Sequence, residues 1–406
     1  MRTVGLAIGI RMRRRTTTLP ASTASVDEEQ SRAVFDRVAP FTVGAEEEYL
    51  LVDPDTLDPA PVAQDALACA GDGSHLAPEF RAGQIEAITA PCATIAEVAH
   101  ELASARHAVV DAVGGRALVV ACGAHPTALD PGPVTALPRY LRLAQAHPWA
   151  AQHAFTCGLH VHVALSGADR ALAVHNALRS YLPEIVALGA NAPFHRGEDS
   201  GLATVRPKLN SAWPRFGIPP AFASWRDVMA LGAWAREGGA FPDETYQWWD
   251  LRLRPGIGTV EVRAPDVQTR VEDAATVTAL VQSLVYELAS RHDAGERLPI
   301  DPHERIQENL WLALRDGVSG RLIDLASGRS GWTGERLLAL AERLLPSAAI
   351  LGCDRELLGI GRIVLEGGGA ERQRNIVVDG GTAALVRALA DETHGDASSR
   401  RATAKL

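Results

Sequence analysis

The feature that most constrains this chain is a strand-like segment with three consecutive glutamates, FTVGAEEEYLLV at residues 41–52. Its aromatic and β-branched ends, and the Asp-Pro-Asp turn that follows it, predict a β-strand. Successive side chains of a strand point to opposite faces, so Glu46 and Glu48 share one face of the sheet and Glu47 lies on the other. Neighbouring carboxylates repel each other unless a cation lies between them, although an exposed acidic edge strand would show the same pattern.

Three further segments carry ionisable side chains at the spacing of a strand. They are 83–89 with Glu86, 158–165 with His160 and His162, and 258–265 with Glu261 and Arg263. Glu79 precedes Glu86 by an odd number of residues, so it joins the same face only from a loop, across a break near Gly83. Taken singly, paired structural histidines and a Glu261–Arg263 ion pair would also explain these patterns.

A sheet face with so many ionisable groups is not an apolar core, because burying unpaired charges costs too much free energy. Such a face either contacts bulk water or lines a ligand cavity that contains metal ions. The oxygen-rich set of side chains favours Mg²⁺ or Mn²⁺ over Zn²⁺. Because Mg²⁺ held by carboxylates completes its shell with water and substrate phosphates, the pattern predicts ATP-dependent phosphoryl transfer.

Composition narrows the class of protein. With 47% hydrophobic and 22% charged residues, the chain is neither disordered nor collagen-like, and its formal charge of −9 offers no basic surface to nucleic acid or an anionic membrane. No apolar run approaches the ~18 residues that a membrane helix needs. The five cysteines are widely spaced without a CxxC pair, which argues against disulfides and a thiolate zinc site and predicts a cytoplasmic protein.

The remaining pattern predicts one α+β domain. Apolar residues at helical spacing predict helices at 94–113, 169–188, 272–291, 302–314 and 335–345, whereas residues 189–226 follow no period. We predict a mobile N-terminal extension at 1–40, a single domain at 41–385 and a polar C-terminal tail at 386–406. P-loop, dinucleotide-binding, serine-hydrolase and HExxH motifs are missing, and the glycine triplet at 367–369 is weak evidence for a phosphate site.

Eight blocks of the sequence resemble, in order, the carboxylate–amine ligases of glutamate–cysteine ligase type 2. They are GAEEEYLLVD (44–53), Gln84-Ile85-Glu86 with Thr89, CGLHVHV (157–163), Asn191-Ala192-Pro193-Phe194, Trp213-Pro214 with Gly217 and Pro219-Pro220, WWDLR (248–252), GTVEVR (258–263) and Arg372-Gln373-Arg374. The resemblance extends from about residue 41 to residue 380. Each block is weak alone, but their common order is specific to this family.

The resemblance implies a glutamine-synthetase-like α+β fold, in which helices pack on the convex side of a curved, mainly antiparallel sheet and the active site lies on the concave face. It implies ATP-dependent formation of an amide, typically between the γ-carboxylate of glutamate and the amine of cysteine, with an acyl phosphate as intermediate. The expected cofactors are ATP and Mg²⁺, with Mn²⁺ as an alternative. The expected partners are small-molecule substrates, and a homo-oligomer is left open.

The resemblance also implies roles for individual residues. The metal-binding set is Glu46, Glu48, Glu79, Glu86, His160 and Glu261; the catalytic arginines, which contact phosphate or the acyl substrate, are Arg252, Arg263 and Arg374; the nucleotide contacts are His160, His162 and Arg252. The segment PEFR at 78–81 departs from the aliphatic residues that are usual in the family, which makes the Glu79–Glu86 pair the least secure part of the metal set.

The identity of the amine is left open by two departures from the family pattern. Within residues 197–222, LNSA at 209–212 replaces an expected stretch with tryptophan and arginine, and Arg254 replaces a small residue. This segment is expected to cover the acceptor, so another amine in specialised biosynthesis is an alternative to cysteine. The alternatives from other classes are a non-catalytic metabolite-binding module, a zinc hydrolase that uses His160 and His162, and a guanidino-phosphotransferase.

Overall fold

The computed structural model describes residues 28–71 and 75–395. Within these residues the β-strands are β1 Val43–Val52, β2 Leu76–Pro78, β3 Gln84–Ile88, β4 Leu118–Val120, β5 Leu159–Ala164, β6 Phe194–His195, β7 Glu198–Asp199, β8 Leu251–Arg254, β9 Thr259–Val262, β10 Arg321–Ile323 and β11 Ser330–Trp332. The α-helices are α1 Glu28–Arg37, α2 Ala63–Ala70, α3 Ile95–Val113, α4 Pro138–Ala146, α5 Pro148–His153, α6 Ala168–Leu178, α7 Leu182–Leu188, α8 Arg206–Asn210, α9 Trp225–Glu237, α10 Val271–Asp293, α11 His303–Asp316, α12 Thr333–Leu351, α13 Asp354–Leu357, α14 Gly359–Glu366 and α15 Gly368–Thr393.

One seven-stranded sheet organises the structure. Its strand order is β2-β3-β1-β5-β9-β8, with β4 paired to β1, and every pairing in it is antiparallel. The sheet and its helices confirm the predicted α+β class. The register sets Glu46 opposite His160, Glu48 opposite Glu86, and His162 opposite Glu261. Residues directly opposite each other point to the same face, so the predicted polar groups share one side of the sheet.

The other face of the sheet is covered by helices, of which α3, α6 and α10 make the main contacts. Its aliphatic side chains, such as Val161 and Val262, are fully buried in the largest hydrophobic cluster. Glu47 also points to this face, and its carboxylate pairs with Arg106 of α3 at 2.6 Å. Tyr49 donates its hydroxyl to Glu47 at 2.5 Å, so the buried carboxylate is both paired and hydrogen-bonded.

The predicted helices are present with altered boundaries. The helix predicted at 94–113 begins at Ile95, with a capping box between Thr94 and Glu97. The helix predicted at 169–188 is two helices, α6 and α7, separated by a 3₁₀ turn at Arg179–Tyr181. Pro183 explains the break, because proline lacks the amide donor that would continue the ladder. The sequence patterns missed the helices α1, α2, α4, α5, α8, α9, α13, α14 and α15.

Both predicted terminal segments are too long. Residues 28–37 form α1, whose Phe35 is fully buried and meets Trp225 edge-on at 5.1 Å between ring centroids. At the other end, α15 continues to Thr393 and buries Val386 and Leu389. Apolar residues at helical spacing anchor both segments to the core. The rest of the predicted extension (1–27) and of the predicted tail (396–406) lies outside the described residues. No helix in the described part of the chain is long and apolar enough to cross a membrane.

Candidate active site

A cavity of about 300 Å³ opens on the polar face of the sheet. Seven of the predicted site residues line it: Glu46, Glu48, Glu79, Glu86, His160, Arg252 and Arg263. Strand alternation places five of them there, since Glu46, Glu48, Glu86, His160 and Arg252 lie on the same face of β1, β3, β5 and β8, and Arg263 directly follows β9. Glu79 directly follows the short strand β2, so it enters from a loop, as the sequence predicts.

The carboxylates form groups that are compact enough to hold metal ions. Among the described residues, the ligand atoms lie within 4.8 Å of one another in three sets: Glu46 with Glu86 and His160, Glu48 with Glu79 and Glu86, and Glu46 with His162 and Glu261. Each set contains at most one histidine. Oxygen-rich sets of this kind suit Mg²⁺ or Mn²⁺ better than Zn²⁺, and they disfavour the zinc hydrolase.

Within the part of the chain that the structure describes, two of these carboxylates, Glu79 and Glu86, form no ion pair with a positive side chain. Burial, together with the charge of Glu48, raises the pKa of Glu79 to about 8. Burial and the charges of Glu46 and Glu79 raise the pKa of Glu86 well above its usual range. A divalent cation between these carboxylates would remove the repulsion between their negative charges. The electrostatics of these side chains therefore favour a bound metal ion.

The two histidines of β5, the strand that pairs with β1, both contact Glu46. His160 Nδ1 lies 2.9 Å from Glu46 Oε2, and His162 Nε2 lies 3.2 Å from Glu46 Oε1. Burial opposes ionisation of Glu46, but these imidazoles lower its pKa. Burial, and then the charge of Arg263, lower the pKa of His160, which keeps its imidazole neutral. The buried His160 Nε2 has no hydrogen-bond partner among the described residues, so it is available to a ligand.

Glu261 is surrounded by arginines. Arg252 donates to both of its carboxylate oxygens, at 2.5 and 2.9 Å, while Arg263 donates at 2.7 Å and Arg254 at 3.0 Å. These four hydrogen bonds occupy all the lone-pair positions of the carboxylate. Burial opposes ionisation of Glu261, yet Arg252 and Arg263 hold its pKa well below the usual range. A metal ion would therefore have to displace an arginine to bind Glu261, and in this structure Glu261 orients the guanidinium groups.

Arg374 is not brought to this cavity. Its guanidinium donates to the Asp199 carboxylate at 2.8 Å and to the Leu202 carbonyl at 2.9 Å, in a separate groove next to β11. Arg374 therefore lies apart from Arg252 and Arg263, which line the cavity, and its contact with phosphate or the acyl substrate stays a prediction.

Several cavity residues were not predicted. Arg206, Asn210 and Trp213 come from the segment without a period, and Asp250 immediately precedes β8. Two signals in the sequence point to them: the WWDLR block contains Asp250, and the departure at 209–212 contains Asn210. Neither signal predicts a role for these residues, because the sequence does not show that the segment between α7 and β8 contributes to the same cavity as the sheet.

The sequence matches a known protein family over most of its length. The model of glutamate–cysteine ligase family 2 matches residues 42–401. A Rubrobacter xylanophilus protein with the provisional name glutamate–cysteine ligase 2-3 is 38% identical over 368 residues, which are 88% of this chain and 99% of the relative. A Mycobacterium sp. (strain KMS) protein with the provisional name glutamate–cysteine ligase 2-2 is 36% identical over 340 residues, which are 82% of this chain and 93% of the relative.

Two solved structures share the fold at low identity. The Francisella tularensis glutamate–cysteine ligase in complex with AMP has a TM-score of 0.63 at 13% identity, covering 89% of this chain and 91% of that one. A bifunctional glutathione synthetase from Pasteurella multocida has a TM-score of 0.60 at 15% identity, covering 90% of this chain and 53% of that one. With the match of the family model over most of its length, the chain is an enzyme of glutamate–cysteine ligase family 2.

Proposed function

We propose that the protein is an ATP-dependent carboxylate–amine ligase that joins the γ-carboxylate of glutamate to an amine, with cysteine as the default acceptor. The observation that carries the proposal is the group of four carboxylates, Glu46, Glu48, Glu79 and Glu86, which share one cavity with Arg252 and Arg263. Carboxylates that repel each other beside guanidinium groups suit a metal–phosphate substrate. Membership of glutamate–cysteine ligase family 2 supports glutamate as the donor.

The chemistry requires activation of a carboxylate, which is a poor electrophile. Transfer of the γ-phosphoryl group of ATP to the donor gives an acyl phosphate. Mg²⁺ held by the glutamates and His160 would offset the charge of the β- and γ-phosphates. Arg263 binds the transferring phosphoryl group, and Glu261 keeps its guanidinium in position through the 2.7 Å hydrogen bond. The AMP in the Francisella tularensis enzyme of the same fold agrees with a nucleotide substrate.

The second step is attack of a neutral amine on the acyl phosphate. A tetrahedral intermediate forms and collapses, and inorganic phosphate leaves as the amide forms. Since phosphate is already a good leaving group, the reaction needs no serine or cysteine nucleophile, in agreement with the missing nucleophile motifs. Arg252, which donates to Glu261, also lines the cavity and adds a second positive charge beside Arg263.

The direct test incubates the purified protein with ATP, Mg²⁺, glutamate and single amino acids, and measures ADP and the mass of the product. We expect ADP, phosphate and a γ-glutamyl amide in equal amounts. A phosphoguanidine product would instead identify a phosphotransferase. Lack of ADP with every acceptor would favour a metabolite-binding module, and stoichiometric zinc that survives dialysis would favour a hydrolase.

An acceptor other than cysteine is the second candidate. The observation in its favour is that Asn210 and Trp213, from the segment that departs from the family pattern, line the cavity. Their side chains add an amide and a large aromatic surface to the cavity lining. The amino-acid screen separates the two candidates by the acceptor that gives the fastest ADP formation.

A further inference from the structure

Asp250 is a buried acid of the cavity that has no role in the proposed reaction. Asp250 lines the cavity and is only 4% exposed. Its backbone is held on both sides, since its amide donates to Gly217 O and its carbonyl accepts from the Arg263 amide, each at 2.8 Å. The backbone of Asp250 is therefore held next to that of Arg263, the residue that we assign to the phosphoryl group.

The Asp250 carboxylate has no hydrogen bond and no close ion pair among the described residues. The nearest positive groups are already engaged: Arg206 donates to the carbonyls of Ala264 and Arg263 at 3.1 Å, and Arg263 donates to Glu261. Burial raises the pKa of Asp250 to about 6, although Arg206 and Arg263 oppose the shift. A buried carboxylate without a donor is costly, which indicates that a ligand supplies the donor.

An aromatic wall forms another part of the same cavity. Its members are Phe80, Trp213 and Trp248, with ring centroids 5.4 Å apart for Phe80–Trp213 and 5.4 Å apart for Trp213–Trp248. Trp248 precedes Asp250 by two residues. Aromatic faces attract cations and also provide apolar contact area. An acid beside such a wall suits an ammonium ion with an apolar substituent.

We propose that Asp250 and the aromatic wall form the subsite for the ammonium group of the acceptor amine. The assignment to the acceptor rests on the proposed function, because the attacking nitrogen must lie beside the activated carboxylate, where Asp250 adjoins Arg263. The α-ammonium of the donor offers the same chemistry, and the kinetic experiment below separates the two sources. The binding of an ammonium ion at Asp250 does not depend on turnover.

The binding test compares two probes of similar shape, benzylammonium and benzyl alcohol, by calorimetry on the full chain with saturating Mg²⁺. Saturating Mg²⁺ neutralises the glutamate cluster, so the preference for the cation reports Asp250. We expect wild-type protein to bind benzylammonium at least tenfold more tightly, and Asp250→Asn to reduce this ratio to about one, as loss of one charged hydrogen bond predicts. The matched control is Asp111→Asn, an exposed position of α3, which should keep the wild-type ratio.

Either of two results would overturn the subsite: equal affinity of the two probes in wild-type protein, or an unchanged preference in folded Asp250→Asn. A second variant, Trp213→Leu, should weaken both probes at least threefold and preserve the preference for the cation. This variant tests the wall if Asp250→Asn does not fold. An undiminished affinity of folded Trp213→Leu would remove the wall from the subsite.

The kinetic test uses the amino acid that gives the fastest ADP formation. We expect Asp250→Asn to raise the KM for this acceptor at least tenfold and to leave the KM for glutamate and ATP within twofold. A rise in the KM for glutamate alone would place the donor at Asp250 and overturn the acceptor assignment. Charge-selective binding by a protein that forms no ADP would refute the proposed function and retain the ammonium subsite.

Discussion

Glu261 and Arg252 are direct partners across β9 and β8, and both oxygens of the fully buried carboxylate accept from the one guanidinium. Arg254 and Arg263 add one hydrogen bond each. From the sequence, we predicted that Glu261 is one more member of an acidic cluster whose charges repel each other. The structure instead makes it the negative centre of three positive charges, so its removal has a different consequence from removal of Glu79 or Glu86.

Replacement Glu261→Gln should lower the free energy of unfolding by about 3–5 kcal/mol, because breaking a buried ion pair leaves uncompensated charge. Urea denaturation followed by circular dichroism measures the change. An unchanged midpoint and slope would mean that water reaches the three arginines and that Glu261 is not their structural anchor.

Replacement Glu47→Gln tests the alternation of β1. The amide cannot offset Arg106, so stability should fall by about 3–5 kcal/mol, while the affinity for Mg²⁺ should stay within twofold, since Glu47 faces the helices. Replacement Glu86→Gln should do the reverse and weaken Mg²⁺ binding at least tenfold, because it removes one charged ligand. Calorimetric titration with Mg²⁺ and thermal melts separate the two effects. Equal loss of Mg²⁺ affinity in both variants would contradict the assignment of faces.

Stability without metal should depend on pH through Glu79. Its pKa is raised in the folded state to about 8, so the unfolded chain releases its proton first, and stability is lost as pH rises from about 4.5 to about 8. Glu79→Gln carries no such proton and should lessen this loss by about 4 kcal/mol at pH 8. Melting temperatures in EDTA across this range provide the measurement, with the exposed Glu308→Gln as control. Parallel curves for wild type and Glu79→Gln would show that Glu79 ionises normally.

Replacement Arg263→Lys keeps the charge but loses the guanidinium fork. We expect kcat to fall by about 10- to 1000-fold, in the range seen when one charge-stabilising donor is removed, with little change in the KM for ATP. Initial rates of ADP formation give both constants. A near-normal kcat in the folded variant would leave Arg263 as an ion-pair partner of Glu261 only.

Replacement Gly158→Ala tests the close approach of the Arg206 guanidinium to Gly158. An added Cβ would lie 2.2 Å from Arg206 Nη2, so the guanidinium would have to leave the carbonyls of Arg263 and Ala264. We expect a loss of about 1–3 kcal/mol, as is usual for overpacking. On the same face, Gly44→Ala would meet only Thr89 Oγ1 at 3.8 Å and should be neutral. Denaturant midpoints of both variants decide, and equal stability would mean that Arg206 moves without cost.

Much of the candidate site was predictable because strand alternation is a local property. The two-residue period places Glu46 with Glu48 in β1, His160 with His162 in β5, and Glu261 with Arg263 at β9 on one face of their own strand, whatever the rest of the chain does. The odd separation of Glu79 and Glu86 likewise required a break before β3, and the structure contains one. The roles of these residues in binding metal and nucleotide stay predictions.

Other ion pairs of the structure depend on contacts between distant segments. Arg106 pairs with Glu47 from 59 residues away, and Arg374 meets Asp199 across 175 residues. A periodic pattern contains no information on such partners. The terminal helices show the same limit, since α1 is ordered by burial of Phe35 against Trp225, a residue far along the chain.

The sequence by itself determined the α+β class, the alternation of the strands and the crowding of carboxylates and imidazoles on one sheet face, because these follow from the geometry of neighbouring residues. Only the tertiary structure decided which charges are neutralised. Among the described residues, it surrounds Glu261 with three arginines, leaves Glu79, Glu86 and Asp250 without an ion-pair partner, and places Arg374 outside the cavity. The physical reason is that the cost of a buried charge depends on groups brought within a few ångströms by folding, not on its neighbours in the chain.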